Sequence, residues 1–223
     1  MRRRALSLGF PGQKLWAHRI GVKLRDGVKQ EQRRDRKTVL FVGRLVEKKG
    51  CVDLIRAMSR VQLGAPGTRL VIAGDGPLRK TLEREAALHC RDAVFLGHQS
   101  HAVIRQWMQR ASVLAAPGVE AIDGDSEGLP AVLCEAQAEG LPVTTFDTEG
   151  VTEALPVKRR HALPKAGNVA ALAEEIIRIM RDEQAWQKAS DAGRSYMRSH
   201  FDLDAQTQLL EDKYEEVIAR LHA

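Results

Sequence analysis

Residues 126 to 143 read SEGLPAVLCEAQAEGLPV and carry two carboxylates eight positions apart, Glu127 and Glu135. A Gly-Leu-Pro turn separates them and another closes the stretch. Pro130 suits the first position of a helix, where its missing N–H has no partner to lose and its φ is already set. Gly128 lets a ligand approach the backbone closely just before it. The free amides among residues 129 to 132, together with the helix dipole, favour negative charge at this point. Glu127 stands ahead of these donors. Glu135, further along the helix, is placed to accept hydrogen bonds from vicinal hydroxyls such as a ribose diol. Acids in those two places fit a ligand with hydroxyls on both sides of a diphosphate, which is the shape of a sugar nucleotide. A capping carboxylate followed by an exposed helical glutamate accounts for the spacing equally well.

A second group lies upstream in GRLVEKKG, residues 43 to 50. Arg44 follows Gly43 directly, and Lys49 comes five residues later, just before a helical stretch. A guanidinium fork and an ammonium beside a glycine turn, both near a helix N-terminus, form a clamp for a pyrophosphate. A solvated charged loop is the competing account. The segment is neither GxxxxGK[ST] nor GxGxxG, so nucleoside triphosphate hydrolysis and hydride transfer lose their usual support. Gly74-Asp75-Gly76 is a tight turn or a phosphate loop. Asp123-Gly124-Asp125 has the form of a two-carboxylate metal chelate, but an acidic surface loop explains it more simply, and no metal is expected. The seven histidines show no metal-ligand spacing.

These residues need a scaffold that gathers them. Apolar runs at residues 38 to 42 (TVLFV), 70 to 73 (LVIA), 93 to 96 (AVFL), 112 to 116 (SVLAA) and 142 to 146 (PVTTF) read as buried strands. Amphipathic helices are predicted between them at 52 to 63, 78 to 89, 102 to 110 and 131 to 139. Continuously apolar strands alternating with crossover helices predict an α/β fold, a Rossmann-like doubly wound parallel sheet with helices on both faces. Ligands in that fold sit beyond the carboxyl ends of the strands. Arg44, Lys49, Glu127 and Glu135 are therefore expected to meet at one rim, with the turns at Gly74 and Gly97 beside them. Three further helices are predicted near 168 to 181, 183 to 200 and 202 to 221, with Asn168 and Asp202 as caps. Residues 1 to 9 read as a short helix and 15 to 22 as extended.

Of 223 residues, 43% are hydrophobic and 29% charged, an ordinary balance for a chain with a sizeable core. Cys51, Cys90 and Cys134 are far apart and lie among apolar neighbours, so reduced, buried thiols are expected rather than disulfides or zinc ligands. No apolar run approaches the length of a membrane span, and a cytoplasmic protein is the default expectation. The charge is uneven. Fifteen Lys and Arg stand against four Asp and Glu in residues 1 to 50, and the remainder is net acidic. Arg2-Arg3-Arg4 and Arg33-Arg34-Asp35-Arg36-Lys37 therefore open an alternative, a non-catalytic basic module that holds RNA or anionic membrane. No aromatic residues interleave with these runs, and a nucleic-acid partner is not expected.

FVGRLVEKKG, VIAGDGP, VFLGH and SEGLPAVLCEAQAEGLPV, in this order and spacing, resemble the carboxyl-terminal half of glycosyltransferase family 4, the retaining group 1 enzymes of GT-B fold. The likeness runs from about residue 15 to the end. It implies that Arg44 and Lys49 hold the donor diphosphate, that Glu127 touches the transferred sugar and that Glu135 binds ribose. It also implies that Gly128, Leu129, Pro130 and Ala131 line the sugar and phosphate pocket, with Gly43 beneath and Gly97 beside the base. The donor would be a UDP- or GDP-sugar and would need no metal. The acceptor would be a polysaccharide or lipid-linked glycan at the inner face of a membrane, with peripheral membrane contact. The resemblance divides the chain into residues 1–30, a linker and remnant of a missing amino-terminal acceptor domain, 31–201, the nucleotide-sugar domain, and 202–223, a crossover helix. The sequence departs from the family pattern in two places. Leu129-Pro130 replaces the commoner Phe-Gly, and VKRRHALPKAGN after Glu153 lacks the usual glycine-rich turn.

Overall fold

The five apolar runs pair as parallel strands of one sheet in the order β3-β2-β1-β4-β5, in a computed structural model that describes residues 2–24, 37–148 and 150–221. The strands are β1 (Thr38–Val42), β2 (Arg69–Ala73), β3 (Ala93–Gly97), β4 (Val113–Ala115) and β5 (Val143–Thr144). Moving outward in both directions from β1 is the doubly wound order, and the strand order reverses between β1 and β4. Side chains of successive strand residues point to opposite faces, and the sheet divides its core accordingly. Val39, Phe41, Leu70, Ile72, Val113 and Ala115 pack on one side with α2 (Cys51–Gly64), α3 (Arg79–His89) and α7 (Val169–Arg181). Leu40, Val71 and Leu114 pack on the other with α4 (His101–Arg110), α5 (Ala131–Ala138) and α8 (Glu183–His200). Trp186 joins the first core and donates from its indole N–H to the Ser112 carbonyl at 2.7 Å, tying α8 to the entry of β4.

β5 is shorter than predicted. Pro142 supplies only its carbonyl, to Leu114 N at 2.9 Å, and the hydroxyl of Thr145 turns to the Ala116 carbonyl at 2.8 Å, so the ladder stops after two residues. The predicted caps are in place. Asn168 Oδ1 accepts from Ala171 N, and Asp202 Oδ1 from Ala205 N at the start of α9 (Leu203–Leu221). A further one-turn helix, α6 (Val157–Arg160), lies within VKRRHALPKAGN. Its Arg159 reaches the Val143 carbonyl and Glu175, and its Arg160 the Tyr196 hydroxyl.

At the other end, α1 spans Arg2–Ser7. Val22 bridges to Asp202, with Val22 N donating to Phe201 O at 2.7 Å, so the front of the chain meets its last helix at that helix's start. The basic run Arg33-Arg34-Asp35-Arg36 and the expected boundary at residues 30 and 31 lie outside the described residues, as do the side chains of Arg2, Arg3 and Arg4. Among the described residues no helix is long and apolar enough to cross a membrane.

The turns at the carboxyl ends of β1, β2 and β3 form one hydrogen-bonded rim. Gly43 N donates to Ala73 O, Gly74 N to Gly97 O, and Leu45 N to Asp75 O. A Cβ at Gly74 would lie 1.9 Å from the Gly43 carbonyl oxygen, and its φ is +148°, so glycine is what allows the rim to close.

Candidate functional site

Arg44 emerges at this rim directly after Gly43. Its side chain is exposed and makes no hydrogen bond or ion pair among the described residues. The chain then forms a single 3-10 turn, Glu47–Lys49, and enters α2 through Gly50 in the left-handed region at φ +63°. A Cβ on Gly50 would sit 1.8 Å from the Pro117 carbonyl oxygen. The turn after β1 is therefore pressed against the loop after β4, and Val119 N donates to Lys48 O at 2.9 Å across the same junction.

This contact carries the acidic loop over the cationic turn. Lys49 Nζ donates to Glu127 Oε2 at 2.7 Å. Lys48 Nζ lies 2.9 Å from Asp125 Oδ2 and 3.7 Å from Glu127 Oε1. The hydrogen bond from Lys48 to Asp125 raises the lysine's pKa above its ordinary value. Glu127 is largely withdrawn from solvent, with its side chain 13% exposed. Arg44, Lys48, Lys49, Glu47, Asp123, Asp125 and Glu127 line a pocket of about 470 Å³ beyond the ends of β1 and β4. It lies where the strand order reverses, the place where doubly wound sheets bind ligands.

The DxD loop is folded on itself. Asp125 N donates to Asp123 Oδ1, and Ala121 N to Asp125 O. Asp125 engages a lysine, and among the described residues no group of three or more His, Cys, Asp or Glu could hold a metal ion. Gly74-Asp75-Gly76 is a turn closed by its own carboxylate. Asp75 Oδ1 accepts from Gly76 N at 2.7 Å, and Oδ2 accepts from Arg79 at 3.0 Å. These two bonds hold the Asp75 carboxyl below the usual range. Arg79 consequently lies beside Gly97.

The helix bearing Glu135 begins at residue 131 as predicted, but Pro130 stands just outside it rather than at its first position. Pro130 has ψ 107° and stands as the capping residue, with Ala131 first in α5. Among the described residues, Gly128, Leu129, Ala131 and Val132 make no hydrogen bond through their amides, as is general at a helix start. Glu135 does not share the pocket of Arg44, Lys49 and Glu127. It lines a second groove of about 250 Å³ with His101, Ile104 and Arg105 of α4 and with Gly21, Val22 and Lys23. The expectation of four residues at one rim is corrected to three in one pocket and the fourth one helical turn down α5. The reason is the helix itself, since residue 135 is about 6 Å along the axis from Ala131. Glu139 sits deeper in that groove, where it accepts from Arg105 Nε at 2.7 Å and Gln109 Nε2 at 2.9 Å.

Lys48 and His101 line these pockets although no sequence pattern singles them out for a ligand. Lys48 is visible as the first lysine of the pair in EKKG, but nothing in the letters shows that it faces Asp125 across 77 residues of chain. The family model for glycosyl transferases group 1 matches residues 24–196. The chain belongs to this family. The amylovoran biosynthesis glycosyltransferase AmsK of Erwinia amylovora is 30% identical over 205 residues, covering 88% of this chain and 49% of its own length. A glycogen synthase of Mycobacterium tuberculosis is 32% identical over 166 residues, covering 74% of this chain and 39% of its own. The crystal structure of HepE from Anabaena, in complex with UDP and glucose, has the same fold, with a TM-score of 0.78 at 18% identity over 96% of this chain and 60% of that one. This group 1 glycosyltransferase chain thus spans about half or less of the length of the curated relatives it matches, and both its candidate pockets draw on the matched segment.

Proposed function

We propose that the chain is the donor-binding, carboxyl-terminal domain of a retaining family 4 enzyme of GT-B architecture. It holds a nucleoside-diphosphate sugar, with UDP or GDP as the nucleotide, for transfer to a polysaccharide or lipid-linked acceptor at the cytoplasmic face of a membrane. The observation that carries this reading is the meeting of Arg44, Lys49 and Glu127, from two separate loops, in one pocket at the reversal point of the sheet. The diphosphate lies between Arg44, Lys49 and the free amides at the start of α5. The sugar reaches Glu127, and the ribose runs down α5 to Glu135 and the groove beside His101. HepE in complex with UDP and glucose supports a donor of this class.

In this reading transfer needs no metal. The arginine and lysine stabilise charge on the leaving diphosphate, and a donor phosphate oxygen takes the acceptor proton as the acceptor attacks from the leaving-group face. Preorganised charge of this kind commonly contributes more to catalysis than any other single effect. A second domain, which carries the acceptor, completes the cleft, and this chain alone transfers little or nothing. Calorimetric titration tests the reading directly. UDP or GDP should bind saturably, and Glu135→Ala should weaken that binding about tenfold or more through the lost diol contact. No saturable binding of either nucleotide would overturn the reading.

A further inference from the structure

The pocket beyond β1 and β4 presents three cations against four carboxylates. On that count alone it repels a diphosphate, since like charges a few ångströms apart cost energy even near a surface. An anion enters only if the acids remain engaged by a cation that is not itself taken up by the phosphate. Arg44 has no partner to give up among the described residues. Lys49 is bound to Glu127 at 2.7 Å and must leave it to reach a phosphate.

We propose that Lys48, held by Asp125, is a positioning residue that neutralises the acidic loop and retains Glu127 when Lys49 transfers to the donor diphosphate. This rests on the donor-site reading above and goes beyond it by assigning the charge exchange. Lys48 is already placed for it. Its ammonium stands between Asp125 at 2.9 Å and Glu127 at 3.7 Å, so a small movement of Glu127 exchanges one lysine for the other. The Lys48 side chain is 28% exposed and that of Asp125 56%, so their pair is a partly screened one and the effect of losing it is modest. The backbone of Lys48 is fixed independently, through the bond from Val119 N to Lys48 O and the packing of Gly50 on Pro117. The two loops therefore stay together while the side chains change partners. Without Lys48, Glu127 would hold Lys49 back from the phosphate, and Asp125 would face the diphosphate with one cation fewer beside it.

The test is UDP and GDP titration of the chain and its variants, each checked for its unfolding midpoint. Lys48→Met should weaken binding of the nucleotide that the chain takes by about fivefold, and Lys48→Arg should restore it. Asp125→Asn added to Lys48→Met should recover most of the loss, because the excess acid is then gone. If Lys48 instead contacts the phosphate, Asp125→Asn gives no rescue of Lys48→Met, which overturns the proposal. An unchanged affinity in Lys48→Met overturns it too. Should Lys48→Met fail to fold, Lys48→Gln with and without Asp125→Asn is titrated in its place, rescue by Asp125→Asn in support and its absence against. A wild-type chain that binds neither nucleotide overturns the donor-site reading itself, and this proposal with it.

Discussion

Arg44 and Lys49 occupy the same pocket with different consequences for mutation. Lys49 is the direct partner of Glu127, so its removal unbalances an ion pair as well as the site. Arg44 has no such partner among the described residues, and its loss reports on ligand contact alone. Arg44→Ala should leave the unfolding midpoint unchanged while weakening nucleoside diphosphate binding at least tenfold. In a complete enzyme it should cost about 2–4 kcal/mol of leaving-group stabilisation, the scale for one preorganised donor. Calorimetry and steady-state kinetics check the two parts separately. The cysteines give a second residue-scale test. All three are free and buried, and burial pushes the Cys134 thiol up to about 12 and raises Cys51 and Cys90 as well. At pH 8 the thiolate fraction of Cys134 is then about one part in ten thousand. A thiol-specific reagent should label none of the three in the native chain and all three in denaturant. Rapid native labelling would contradict the packing of both cores.

At the scale of elements, the central strands are legible in the sequence because they are buried on both faces and so read as unbroken apolar runs, as in TVLFV and LVIA. Helix starts are legible where a side chain caps them, as at Asn168 and Asp202. The junction of the turn after β1 with the loop after β4 is not legible, because it depends on Gly50 meeting Pro117 across 67 positions of sequence. Glu135 parts from Glu127 for a related reason. Spacing along the chain puts the two acids close together, whereas the axial rise of α5 carries Glu135 into a separate groove. The junction makes a prediction of its own. Gly50→Ala must adopt a left-handed conformation and push its Cβ into the Pro117 carbonyl. It should lower stability by at least about 2 kcal/mol and displace the acidic loop, so nucleotide affinity falls along with the unfolding midpoint. A variant with an unchanged midpoint would show that the two loops are not packed as described.

The whole molecule presents a face that its own core does not use. Along α9, Leu210, Tyr214, Val217 and Ile218 follow the three- and four-residue spacing of one helical stripe and are exposed, Tyr214 at 63%. Leu6, Leu8, Phe10 and Trp16 near the front are exposed as well. An exposed apolar stripe like that of α9 marks a surface that something covers. The family match ends at residue 196, before α9, and this chain's matched part covers only 49% and 39% of the length of the two relatives. The proposed occupant is the acceptor-side domain of the complete enzyme. Tyr214→Asp combined with Val217→Asp separates the two halves of the function. Neither residue lines the pocket of Arg44 or the groove of Glu135, so this chain should keep its nucleotide affinity within about twofold, as expected for exposed sites away from the ligand. Placed in a full-length enzyme, the same pair should abolish most transfer, because two charges would stand in an apolar interface. A full-length variant with normal transfer would remove α9 from the domain contact and leave its apolar stripe to another partner.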